Sequence, residues 1–132
     1  MGQQTYVFDA ELIGCDGVQR TIAVRDDLAL VDLHYALQSA FGWDDDHLYA
    51  FWLDGGFWAT RAGLAGRRAC TPLAALALRP GQRIAYVFDF ADEWRVELTV
   101  REVVADVGRA SPRLLGSVGA APPQSALARA AA

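Results

Sequence analysis

A chain of 132 residues with 53% hydrophobic and 21% charged positions holds enough apolar material for one packed domain. That balance excludes a disordered or fibrous polymer, and no run of eighteen apolar residues offers a membrane span. All twelve basic residues are Arg, and the net charge of −4 argues against a general nucleic-acid binder, whose affinity rests on neutralising phosphates.

Residues Tyr6 to Ile13 alternate as a strand, with Tyr6, Phe8, Ala10 and Leu12 on one face. Gly14-Cys15-Asp16-Gly17 is turn chemistry, and Val18 to Val24 returns as the second arm of a hairpin. Asp26-Asp27 stands where a helix N-cap is wanted. Leu30, Leu33, Leu37 and Phe41 then fall within about 80° of one another on a helical wheel, a single core-facing stripe that Gly42 terminates.

His47 to Leu53 reads as a short strand, and Gly55-Gly56 as a hairpin turn into Phe57-Trp58-Ala59-Thr60. Arg61 to Thr71 has the composition of an exposed loop, and Leu73 to Leu78 of a helical turn ended by Pro80-Gly81. Arg83 to Phe90 and Trp94 to Val104 form the last hairpin, Ile84, Tyr86, Phe88 and Phe90 sharing one face and Trp94, Val96, Leu98 and Val100 facing the core. From Asp106 onward seventeen of twenty-seven residues are Ala, Gly, Ser or Pro, and strand alternation ceases. The expected fold is α+β: a twisted, mostly antiparallel sheet of hairpins with one main helix on a face, β-grasp-like in element order. The expected domain covers residues 1–105, and 106–132 form a tail that drapes over it or stays mobile.

Little in the chain spells out chemistry. Cys15 and Cys70 have no nearby second Cys, so no chelating or redox pair is written locally. A disulfide between them stays open beside the simpler reading of two separate thiols. The N-terminus has no basic stretch followed by an apolar one, so the expected compartment is cytoplasmic and reducing. Asp44-Asp45-Asp46 beside His47 has the residue types of a cation site, but adjacent side chains in a turn diverge. His34 lies at the edge of the helix stripe, a boundary position where a histidine finds a hydrogen bond. No Gly-x-Ser-x-Gly elbow and no phosphate-cradling Gly-rich loop occurs. Arg61, Arg67 and Arg68 form the one basic loop, with no basic stripe around it to extend a nucleic-acid surface. Trp43, Trp52, Trp58 and Trp94 sit mostly at turns, where an indole either closes the end of a small core or anchors a partner.

Several of these residues carry a family resemblance. Leu33-His34, then Phe41-Gly42-Trp43 with His47-Leu48 and Phe51, resembles the plasmid pRiA4b ORF-three-like family, which is met on plasmids and insertion elements as well as chromosomes. So does Pro80-Gly81-Gln82-x-Ile84-x-Tyr86-x-Phe88-Asp89-Phe90-x-Asp92-x-Trp94, and the resemblance runs from about Tyr6 to Pro123. Set against the family pattern, Tyr49 and Val96 replace histidines, Leu114 and Ala121 replace cysteines, and Gln124-Ser125 replaces an acidic pair. His47, Asp89 and Asp92 remain of what the resemblance implies to be a polar cluster.

Three functions follow as expectations. The first is a non-catalytic protein-interaction or accessory module, with no cofactor, metal or membrane, engaging a protein partner through Trp43, His47, Asp89, Asp92 and Trp94. The second is a metal-dependent or hydrolytic enzyme using His47, Asp89 and Asp92. The third is a nucleic-acid accessory of a mobile element using Arg61, Arg67 and Arg68.

Overall fold

The structure, a computed structural model, describes residues 3–44, 47–53, 56–58, 63–106, 108–122 and 124. Its elements are β1 (Gln4–Leu12), β2 (Gln19–Arg25), α1 (Leu30–Phe41), β3 (Tyr49–Trp52), β4 (Arg83–Phe88), β5 (Trp94–Ala105) and β6 (Arg113–Val118), with 3-10 turns at Gly66–Cys70 and Leu73–Leu76. The six strands form one sheet in the order β3-β4-β5-β1-β2-β6, antiparallel at every pairing. The fold is α+β, one helix on a mostly hairpin-built sheet.

Period-2 alternation sets the register. Phe8 lies opposite both Ile22 and Val100, Leu98 opposite both Ala10 and Ile84, and Phe88 opposite Trp94. These rows put Phe8, Ile22, Ile84, Phe88, Trp94, Leu98 and Val100 on the helix side, where Leu30, Leu33, Leu37 and Phe41 meet them. Arg95, Glu97 and Thr99 take the other face, whose apolar cluster lies at the β3–β4 corner. There Ala50, Trp52, Ala85 and Val87 pack against Phe57, Ala65 and Phe90.

The helix starts and stops for local reasons. Its N-cap is Ala29, and the Asp32 carboxylate reaches back to accept the Ala29 N–H at 2.8 Å. The expected capping by Asp26-Asp27 fails because Asp27 accepts from the Arg25 guanidinium at 2.7 Å and from Gln3 at 3.3 Å instead. The Arg25 hydrogen bond holds the exposed Asp27 carboxyl below the usual carboxylate range. At the other end Gly42 takes φ 74°, and the N–H groups of Gly42 and Trp43 bond back to Ser39 and Gln38, a Schellman ending.

Three expectations change. β4 ends at Phe88, and Phe90 packs with Trp52, Ala85 and Val87 instead of sharing the face of Phe88, because Asp89 at φ 61° breaks the strand's alternation. Phe57-Trp58 is a turn and not a returning strand, and among the described residues β3 is flanked by a bridge in which Phe51 and Leu64 exchange both backbone bonds; Ala59 and Thr60 lie outside the described residues. Strand structure also does not end at Asp106, because β6 pairs with β2. Gly116 faces Thr21 and Leu114 faces Ile22, so Leu115 is an extra residue, a bulge. That bulge breaks the alternation that would otherwise mark a strand in the sequence.

Candidate functional site

The residues singled out in sequence converge at one end of the sheet. There the connection from α1 to β3, the β4–β5 turn and the segment after β6 meet. The Schellman ending aims Trp43 back at the core, where its ring stacks on Phe41 at 4.8 Å, on Phe88 at 5.6 Å and lies 5.3 Å from Trp94. Both indoles are buried, Trp43 at 5% and Trp94 at 6% exposure. They close the core in this structure rather than projecting from it.

Asp89 organises the turn. It adopts φ 61°, a left-handed conformation that Asp tolerates better than most residues. Its Oδ1 accepts the N–H groups of Ala91 and Asp92 at 3.2 and 3.3 Å, and its own N–H donates to the Leu48 carbonyl at 2.8 Å. The buried carboxylate therefore fixes the turn and ties it to the α1–β3 connection. Its other oxygen, Oδ2, stands 3.7 Å from Nε2 of a half-exposed His47, an ion-pair distance rather than a hydrogen bond. His47 also meets the Phe88 ring edge-on at 5.8 Å. Asp92 is partly buried in the same turn.

A short strap roofs this end. Beyond β6, Gly119 turns with φ 73°, Ala121 packs against the core, and Gln124 forms a clasp. The Trp94 indole N–H donates to the Gln124 carbonyl at 2.9 Å. The Gln124 side chain accepts from the Asp44 N–H at 2.6 Å and donates to the Asp44 carbonyl at 3.3 Å. From β6 to β5 is three strand spacings, about 14 Å, within the reach of the six peptide steps from Val118 to Gln124, at most about 20–22 Å. Gly119 permits the crossing, since a Cβ there would lie 2.2 Å from the Gly17 carbonyl oxygen in the β1–β2 turn. Arg20 anchors the strap's root from inside. It donates to Ala40 at the end of α1, to Gln19, and to Val118 at 2.9, 2.7 and 2.9 Å, with its guanidinium over the Phe41 ring.

Sequence reasoning missed several of these parts. Arg20 and Gln124 have no motif of their own; the only hint at Gln124 was its departure from the family's acidic pair. His34 is fully buried and shares a 2.7 Å hydrogen bond with the Tyr86 hydroxyl, to which Gln38 also donates at 2.8 Å. Its ring stacks on Tyr49 at 3.5 Å, so it belongs to the core and not to its boundary. Among the described residues no group of three or more His, Cys, Asp or Glu is placed to hold a metal ion, and both cysteines are free. Asp45, Asp46, Arg61 and the side chain of Arg67 lie outside the described residues, while Arg68 is exposed on its 3-10 turn.

The family model for plasmid pRiA4b ORF-3-like protein matches residues 4–126, which takes in the strap as well as the sheet. The chain belongs to the plasmid pRiA4b ORF-3-like family. A relative, the uncharacterised protein y4hQ of Sinorhizobium fredii, is 32% identical over 114 residues, 81% of this chain and 58% of the relative, so the chain spans under two-thirds of that protein's length. The crystal structure of MM3350 from Methanosarcina mazei Go1, a protein of unknown function, matches with a TM-score of 0.76 at 22% identity, covering 94% of this chain and 74% of that one. This pRiA4b ORF-3-like chain therefore shares its fold with an archaeal protein. No helix among its described residues is long and apolar enough to cross a membrane.

Proposed function

We propose that this chain is a non-catalytic protein-interaction module whose partner adds an extended segment to the β6 edge. The observation that carries the reading is the apolar character of that edge. Leu114, Leu115 and Val118 stand exposed at 50, 46 and 59% on a strand that, among the described residues, pairs with β2 only. Beside them a groove of about 330 Å³ runs between β6 and α1, lined by Ile22, Tyr35, Ala36, Pro112 and Leu114 among others. A strand edge supplies main-chain hydrogen bonds, and an adjoining groove of mixed lining, with Asp32 and Arg113 beside its apolar side chains, supplies side-chain selectivity.

Photocrosslinking from positions 114 and 118 in the native host, followed by reconstitution with the captured protein in purified form, tests this. The expected result is one defined adduct, and at least tenfold weaker binding by a Leu114→Asp, Val118→Asp double variant that remains folded. Equal binding by wild type and variant overturns it.

A second reading, hydrolytic or metal-assisted chemistry at His47, Asp89 and Asp92, has one observation in its favour: a half-exposed imidazole beside a buried carboxylate. Asp89 is already engaged by two backbone donors, which supports a structural duty first. Turnover of an ester or phosphoester panel that is lost in His47→Ala but kept in Leu114→Asp would favour the enzyme. Rates equal in wild type and His47→Ala would remove it.

A further inference from the structure

We propose that the cleft on the helix-free face of the sheet, at the β3–β4 corner, binds a small aromatic anion: a flat ring carrying one carboxylate or phosphate. The cleft lies at the sheet edge opposite β6 and on the face away from the α1–β6 groove, so it stands apart from the reading of that edge.

Strand register builds the cleft. Ala85 of β4 lies opposite Trp52 of β3 on one side and Glu97 of β5 on the other. An alanine between two long side chains leaves a dent in that row. Phe57 in the turn after β3, and Arg79 and Gln82 in the turn before β4, raise its walls. The second turn is firmly placed. The Gly81 N–H donates to the Val100 carbonyl at 2.7 Å, the Val100 N–H donates to the Gln82 carbonyl at 2.9 Å, and the Gln82 side chain accepts the Arg79 N–H at 3.1 Å. The resulting cavity measures about 650 Å³ and opens to solvent. Small-molecule sites run from about 300 to 1,000 Å³.

Its lining sets the charge of the ligand. Among the described residues that line it, Arg79 and Arg83 stand against one carboxylate, that of Glu97, in a chain whose net charge is −4. Arg83 meets Glu97 only at 3.7 Å with its side chain 73% exposed, a loose pair that leaves guanidinium donors for an incoming anion. Arg79 makes no ion pair and no side-chain hydrogen bond among the described residues. Its planar fork of donors matches a carboxylate or a phosphate. The apolar part of the lining sets the body of the ligand. Leu53 and Ala85 give it an apolar bed, and the half-buried Phe57 ring, with the Arg95 guanidinium 5.5 Å from its centroid, gives a flat ring its stacking partner.

The probes are benzoate and phenyl phosphate, titrated at constant ionic strength into the full ¹⁵N-labelled chain while backbone amide resonances are followed. Benzamide keeps the ring without the charge, and acetate and inorganic phosphate keep the charge without the ring. Ligands this small bind weakly, so a saturating shift at Phe57 and Gln82 with a dissociation constant of about 1–10 mM is expected, and none at Val118. Binding by either probe supports the site, and the tighter of the two names the anion. The three control compounds should bind at least about fivefold more weakly. Arg79→Gln changes an exposed side chain and should leave the fold intact while weakening the better probe at least about fivefold. Arg101→Gln, on the same face but paired with Asp9, should leave binding unchanged. The proposal is overturned by the absence of a saturating shift up to about 50 mM of either probe. It is equally overturned if any control compound binds as tightly as the better probe, or if Arg101→Gln loses as much as Arg79→Gln.

Discussion

At the Trp94 end, four aromatic rings from α1, its following connection, β4 and β5 are stacked and covered. At the β6 edge, three aliphatic side chains of one strand stand in solvent. The difference follows from width. Six strands at about 4.8 Å spacing make a sheet about 24 Å across, and one helix about 10 Å thick cannot cover it. What the helix leaves bare must be roofed by other chain or remain exposed. The strap crosses three strands to roof the aromatic end, and it starts from the edge it leaves open.

The contrast yields its largest test in a pair of substitutions. Trp94→Ala removes a buried ring and the donor that holds Gln124, and should lower unfolding stability by about 3–5 kcal/mol in a chemical-denaturant titration. Leu114→Asp at the open edge should change it by no more than about 0.5 kcal/mol. Comparable losses would mean that the β6 edge is as deeply packed as the Trp94 end. A smaller effect probes the joint between the two regions. Arg20 bonds α1 to the end of β6, and Arg20→Met keeps its bulk while removing three hydrogen bonds. A loss of about 2–3 kcal/mol is expected. It should be accompanied by faster amide exchange at Val118 and Gly119 than at β1, and uniform exchange would show that Arg20 is not the joint.

Most of the sheet was legible in the sequence because the alternation of Tyr6 to Leu12, Ile84 to Phe88 and Trp94 to Val100 follows directly from burial on one face. The helix was legible from its leucine stripe and from Gly42. β6 was not, because its bulge places Leu114 and Leu115 side by side and leaves no period to read. The site was half legible. Asp89 was identifiable as a turn acceptor from its position beside a hairpin, whereas the partner of the Trp94 indole N–H is Gln124, far away in the chain. A contact between residues 94 and 124 that rests on one indole and one carbonyl leaves no local pattern.

Gly119 rests so close to the Gly17 carbonyl that only a hydrogen atom fits between them. The length of the β1–β2 turn is therefore coupled to the strap. One residue inserted between Asp16 and Val18 would push the strap's root outward, draw Gln124 off Asp44 and uncover Trp94. Hairpin turns at a surface ordinarily absorb insertions freely, but this one sits against the root of a strap that ends on Trp94 of β5.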